Sequence, residues 1–122
     1  MYFKSWEELK ALCPMENGTW NKDALEEYLI QSCHSGFSKE IDGFMAQHQG
    51  DEALAELLFS FLLDSAYDGS DCQMGAACYI ARMERALLRK KRDLLLQAQQ
   101  NEVYWKRPFR DSENLEWLTP LD

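Results

Sequence analysis

An all-α fold is predicted for this chain, and three observations predict it. Apolar residues recur at spacings of three and four along most of its length. Ser and Asn stand ahead of these runs, where helix caps belong. No stretch of useful length alternates apolar and polar residues as a half-buried strand would. The expected architecture is a single helical domain over residues 1–122, a bundle of five or six helices with a long helix near 71–101 and an extended C-terminal arm.

The first helix opens on Ser5-Trp-Glu-Glu8, a capping box. Trp6, Leu9, Leu12 and Cys13 then share one face, and Pro14 ends the run. Asn17-Gly18 is a turn. Asn21 caps the second helix, in which Leu25, Tyr28, Leu29 and Cys33 repeat at helical spacing until His34-Ser35-Gly36 closes it. Ser38 is expected to cap a third, with Ile41, Phe44, Met45 and His48 on one face; His48 is read there as a packing or capping residue.

Gly50-Asp51 is a stop and a restart. From Asp51 to about Tyr67 the chain is apolar nearly all round, with Leu54, Leu57, Leu58, Phe61 and Leu62 as its main stripe, which places this helix at the centre of the bundle. Tyr67–Asp71 is a loop, and Ser70 with Gln73 forms a second capping box. The helix that follows, if unbroken to Asn101, is on the order of 45 Å long. Its short connection to the preceding helix makes the two antiparallel. Tyr104–Phe109 holds a proline and has no helical period, so it reads as an arm whose aromatics lie on the bundle. Ser112 is expected to cap a last short helix containing Leu115 and Leu118.

With 46% apolar residues the chain can bury enough surface to offset its conformational entropy, which excludes a disordered chain. The start carries no basic region followed by an apolar one, and the most apolar segment, Ala53–Leu63, is too short to span a bilayer. A cytoplasmic protein is expected. Cys13, Cys33, Cys72 and Cys78 suit a reducing compartment and read as small buried hydrophobes.

Catalytic chemistry finds little support in the residue pattern. Cys33 and His34 are neighbours that point about 100° apart on a helix, so they make no dyad by themselves. None of the paired spacings of structural zinc appears, and Glu-x-x-His, the helical di-iron signature, does not occur. Asp68-x-x-Asp71 lacks the other ligands of a calcium loop. No enzyme, no cofactor and no metal are expected.

Charge is segregated along the chain. Residues 1–81 hold 4 basic and 14 acidic side chains, residues 82–110 hold 9 basic and 3 acidic, and the net charge is −8. An acidic field of this kind favours capture of a basic partner. Glu26, Glu27, Glu40, Asp42, Asp51, Glu52, Asp68 and Asp71 are the candidate docking acids, with Tyr67 and Trp105 as aromatic anchors. Arg82, Arg85, Arg89 and Arg92 would form one stripe on an unbroken helix. That stripe has three readings: a solvated face, an intramolecular fastening across the acidic helices, or a nucleic-acid contact, which the surrounding negative charge opposes.

In size, net charge, and the lack of catalytic residues and of a signal segment, the chain resembles the small acidic all-helical immunity proteins of bacterial contact-dependent and polymorphic toxin systems. Gln73-Met-Gly-Ala-Ala77 and Trp105-Lys-Arg-Pro-Phe109 look similar to segments of such proteins. The resemblance implies a cytoplasmic antidote that occludes a cognate toxin domain, often a basic nuclease, by charge complementarity. The alternatives are a helical adaptor or a nucleic-acid-binding protein that uses the basic stripe.

Overall fold

The computed structural model describes residues 5–33, 36–102, 106–109 and 115–118. The described elements are α1 (Trp6–Lys10), β1 (Met15–Glu16), β2 (Thr19–Trp20), α2 (Lys22–Ser32), α3 (Ser38–Ala46), α4 (Glu52–Leu63), α5 (Asp71–Ile80), α6 (Arg85–Lys90) and α7 (Arg92–Gln99). Single 3-10 turns lie at Ser65–Tyr67, between α4 and α5, and at Glu116–Leu118, after α7. The all-α expectation holds, with one small addition. Asn17 and Gly18, at φ 54° and 77°, form the two-residue turn of a minimal hairpin in which Met15 pairs with Trp20 and Glu16 with Thr19. Asn-Gly suits that turn because both positions need positive φ.

Local capping chemistry sets most helix starts. Side chains of Ser5, Asn21, Asp51 and Ser70 accept from the amides of Glu8, Ala24, Leu54 and Gln73. The third helix departs from expectation: Phe37 occupies its cap position, Ser38 is already helical, and no side chain caps it. The fourth also ends earlier than its apolar pattern suggests, at Leu63, because Asp64 caps the following 3-10 turn by accepting from the Ala66 amide.

The long helix expected over 71–101 is three helices. The Glu84 amide donates to the Gln49 carbonyl at 2.9 Å instead of back along the helix, and this docks the α3–α4 loop against the break at 81–84. A second interruption falls at Lys91 (φ −102°, ψ 26°), whose side chain reaches across to α4. Apolar positions continue through both breaks at Ile80, Met83, Leu87, Leu88, Leu95 and Ala98, all buried. Hydrophobic period therefore carries no trace of either.

The core runs from Leu9 to Leu118, and α5 rather than α4 is its axis. Seven of the ten α5 residues are buried, and the helix packs against both α2 and α4. Gln73 meets Leu62 while Tyr79 and Met83 lie near Leu54, so α4 and α5 are antiparallel as expected. Trp6, Tyr28, Phe44, Trp20 and His48 form a continuous aromatic chain joining α1, α2, α3 and the hairpin. His48 is thus a packing residue, its ring 5.1 Å from Trp20 and 4.9 Å from Phe44.

Gly75 is where α2 and α5 touch most closely. A Cβ there would stand 2.8 Å from the Leu29 carbonyl oxygen and 3.0 Å from Ser32 Oγ. Gly75→Ala should therefore push two helices apart and cost about 1–3 kcal/mol, read from the urea midpoint. Gly50→Ala is the control: its methyl would meet only the end of the flexible Glu84 side chain, so a change under about 0.5 kcal/mol is expected. Equal losses in both variants would show that the α2–α5 contact is not the cause.

Candidate functional site

Most of the candidate docking acids make contacts within the bundle. Asp51 accepts from the Trp20 indole at 3.0 Å through one oxygen while capping α4 through the other. Glu52, with Glu56, holds the Lys91 ammonium at 3.0 and 2.8 Å, and this Lys91 hydrogen bond keeps the Glu52 carboxyl below its ordinary range. Asp68 takes hydrogen bonds from Lys106 and Gln73, which lower its pKa in the same way. Glu27 accepts from Gln31, and Glu26 accepts from the Tyr67 hydroxyl. Tyr67 itself packs edge-on against Phe61, half-buried. Glu40 and Asp71 are exposed. Trp105, like His34 and Ser112, lies outside the described residues.

The basic stripe is dismantled by the two breaks. Arg82 pairs with Asp42, Arg85 stacks over the Trp117 ring at 5.1 Å, and Arg89 donates to the Trp117 carbonyl at 2.7 Å. The fastening across the acidic helices describes Arg82 alone; Arg85 and Arg89, both exposed, meet Trp117 of the C-terminal turn instead. The described part of the arm is pinned likewise: Gln99 exchanges two hydrogen bonds with the Phe109 backbone, and Phe109 packs edge-on against Trp117.

The cysteine expectation needs correction. Only Cys72 is buried; Cys13, Cys33 and Cys78 are exposed, because α1 ends before Cys13 and the outer face of α5 carries Cys78. Burial pushes the Cys72 thiol up to about 12, and burial with the nearby Asp71 raises that of Cys33. A reactive thiol is shifted the other way. Among the described residues no three His, Cys, Asp or Glu side chains converge as metal ligands would, and no helix is long and apolar enough to cross a membrane.

Sequence reasoning missed a cleft of about 230 Å³ where α3, the start of α4 and the end of α5 meet. Its floor is Met45, Leu54 and Met83, and Ala46 and Gln49 stand beside it. Asp42, Tyr79 and Arg82 form its polar wall. One oxygen of Asp42, Oδ1, accepts both the Tyr79 hydroxyl at 2.5 Å and an Arg82 guanidinium N–H at 2.8 Å. Partial burial pushes the Asp42 carboxyl up. The hydrogen bonds from Tyr79 and Arg82, with the guanidinium charge, outweigh that and hold it below the ordinary carboxylate range. Burial and the same hydrogen bond raise the Tyr79 phenol. Asp42 was singled out for its charge, but its two partners lie 37 and 40 residues away, beyond any spacing rule.

Compared with protein families, with curated proteins and with solved structures, the chain shows no significant match.

Proposed function

We propose that this protein is a non-catalytic inhibitor, an immunity protein that works in the cytoplasm and occludes a cognate toxin domain with a basic active face, such as a nuclease. One observation carries the reading. Arg82, Lys91 and Lys106 of the basic C-terminal block pair with Asp42, Glu52, Glu56 and Asp68, and of the 14 acids in residues 1–81 the other ten lie outside these pairs, against 4 bases in the same segment. Glu7, Glu16, Asp23 and Glu40 stand exposed and outside these ion pairs. Acids that are spare, rather than structural, are the ones able to steer a cationic partner. The raised thiols of Cys33 and Cys72 support binding over nucleophilic catalysis.

The test uses the toxin domain encoded beside this gene or co-purified from the host. Glu16, Asp23 and Glu40 are changed together to lysine, which leaves every described ion pair intact. Association should slow roughly tenfold or more at low salt, and the difference should shrink as salt rises, since the screening length is about 8 Å at physiological ionic strength. Protection of cells expressing the toxin should fall, with the helical spectrum unchanged. A variant that associates and protects like the parent would overturn the proposal.

A further inference from the structure

We propose that the cleft between α3 and α5 is an anchor site for one aromatic side chain bearing a hydrogen-bond donor, a tyrosine or tryptophan of the toxin partner. The inference rests on the inhibitor reading and names the point at which the partner is held.

The cleft is large enough for one aromatic ring. The cleft encloses about 230 Å³, and an apolar cavity of about 150 Å³ is already known to admit benzene. A phenol or indole ring fits with little rearrangement. The walls suit a ring as well. Met45 and Met83 are flexible thioethers, which re-pack readily and make favourable sulfur–aromatic contacts, and Leu54 closes the floor.

The polar wall then selects the occupant. Both hydrogen bonds that Asp42 receives end on Oδ1, so Oδ2 accepts none from the described residues. Asp42 is nevertheless fixed in place, held from two sides by Tyr79 and Arg82. Asp42 lines the cleft with its side chain about half exposed, so an oxygen that takes no hydrogen bond from the described residues is open to a neutral donor, a phenol O–H or an indole N–H. A second cation is disfavoured there because Arg82 already stands against the same carboxylate. The Arg82 guanidinium, 5.2 Å from the Tyr79 ring, also lines the cleft and offers a cation to the face of an incoming ring. Tyrosine and tryptophan are also the residues that dominate binding energy in such pockets.

The probes are p-cresol and 3-methylindole, with toluene as the ring lacking a donor, titrated into protein labelled at its methionine methyls. Saturable shifts at Met45 and Met83 are expected, with dissociation constants on the order of 1 mM for the two donors. Toluene should bind about fivefold more weakly, the worth of one hydrogen bond. Ala46 is exposed at the rim, so Ala46→Phe should cover the cleft without unfolding the chain and abolish the shifts. The same variant should speed toxin dissociation at least about tenfold while leaving association unchanged, the opposite signature to the lysine triple variant. Absence of methyl shifts would overturn the site. Equal binding of toluene would overturn the role of Asp42. Cresol binding with unchanged toxin dissociation would overturn the anchor and leave the inhibitor reading standing, whereas loss of capture by acid reversal alone would support that reading and not this one.

Discussion

Gln73→Leu is expected to lower stability by about 3 kcal/mol, although the change is from a polar side chain to an apolar one of similar size at a fully buried position. The side-chain amide of Gln73 donates to the Leu62 carbonyl at the end of α4 and to Asp68, both at 3.1 Å, and its carbonyl accepts from the Gly69 amide at 3.2 Å. Its own backbone amide is taken by the Ser70 cap. One residue therefore ties together the whole connection between α4 and α5. Leucine would fill the space but leave the Leu62 carbonyl, now in a buried bond, without its partner at a cost of about 1–3 kcal/mol, and would release the exposed Gly69 amide to water. Urea titration gives the loss, and hydrogen exchange should show the Gly69 amide opening first. Ser70→Ala, which removes only the cap, should cost about 1 kcal/mol. If Gln73→Leu proves as mild as Ser70→Ala, the loop is held by something other than this network.

At high pH the bundle should unfold, and Tyr28 should be a principal cause. The side chain is 1% exposed, between Trp6 and Phe44. Burial, with a smaller effect of Cys13, pushes its phenol up from 10.0 to about 12. A raised pKa means that the fold prefers the neutral phenol. Stability is then independent of this group below its ordinary pKa near 10, and falls as pH climbs toward 12, because the unfolded chain releases the proton first. Two pKa units correspond to about 3 kcal/mol over that window. Cys72, raised to about 12, and Tyr79, raised by burial and by Asp42, act in the same direction. Tyr28→Phe keeps the ring contacts and removes the ionisable group, so it should recover much of the alkaline loss while changing little at pH 7. Circular dichroism against pH decides the matter: coincident alkaline transitions for parent and Tyr28→Phe would exonerate Tyr28.

The same contacts explain why so little of the candidate site was legible in advance. Asp42 could be picked out as an acid on a polar face, but nothing within a few residues of it announces Tyr79 or Arg82. Lys91 likewise looked like part of a basic run until its ammonium was found between Glu52 and Glu56. Opposite charges far apart in sequence pair only after the helices have been placed, so a count of charges overstates how many stand unpaired. The cleft is less legible still, since Met45, Leu54 and Met83 each look like ordinary core positions.

What the sequence alone determined is the local chemistry of the helices. The caps at Ser5, Asn21, Asp51 and Ser70 and the turn at Asn17-Gly18 need only a few adjacent residues, because each satisfies backbone groups within three positions of itself. The apolar period was enough to make the fold all-α. Only the tertiary structure decided where helices stop and which charges remain free. The Glu84 amide leaves the helical ladder because the Gln49 carbonyl is waiting across the bundle, and the chain bends at Lys91 where that side chain reaches α4. At Glu84 a long-range contact competes with an i to i−4 hydrogen bond of similar worth, whereas the Lys91 amide keeps its bond to the Leu87 carbonyl and only its side chain reaches away. A local reading of sequence cannot weigh that competition, because one of the two competitors is missing until the fold exists.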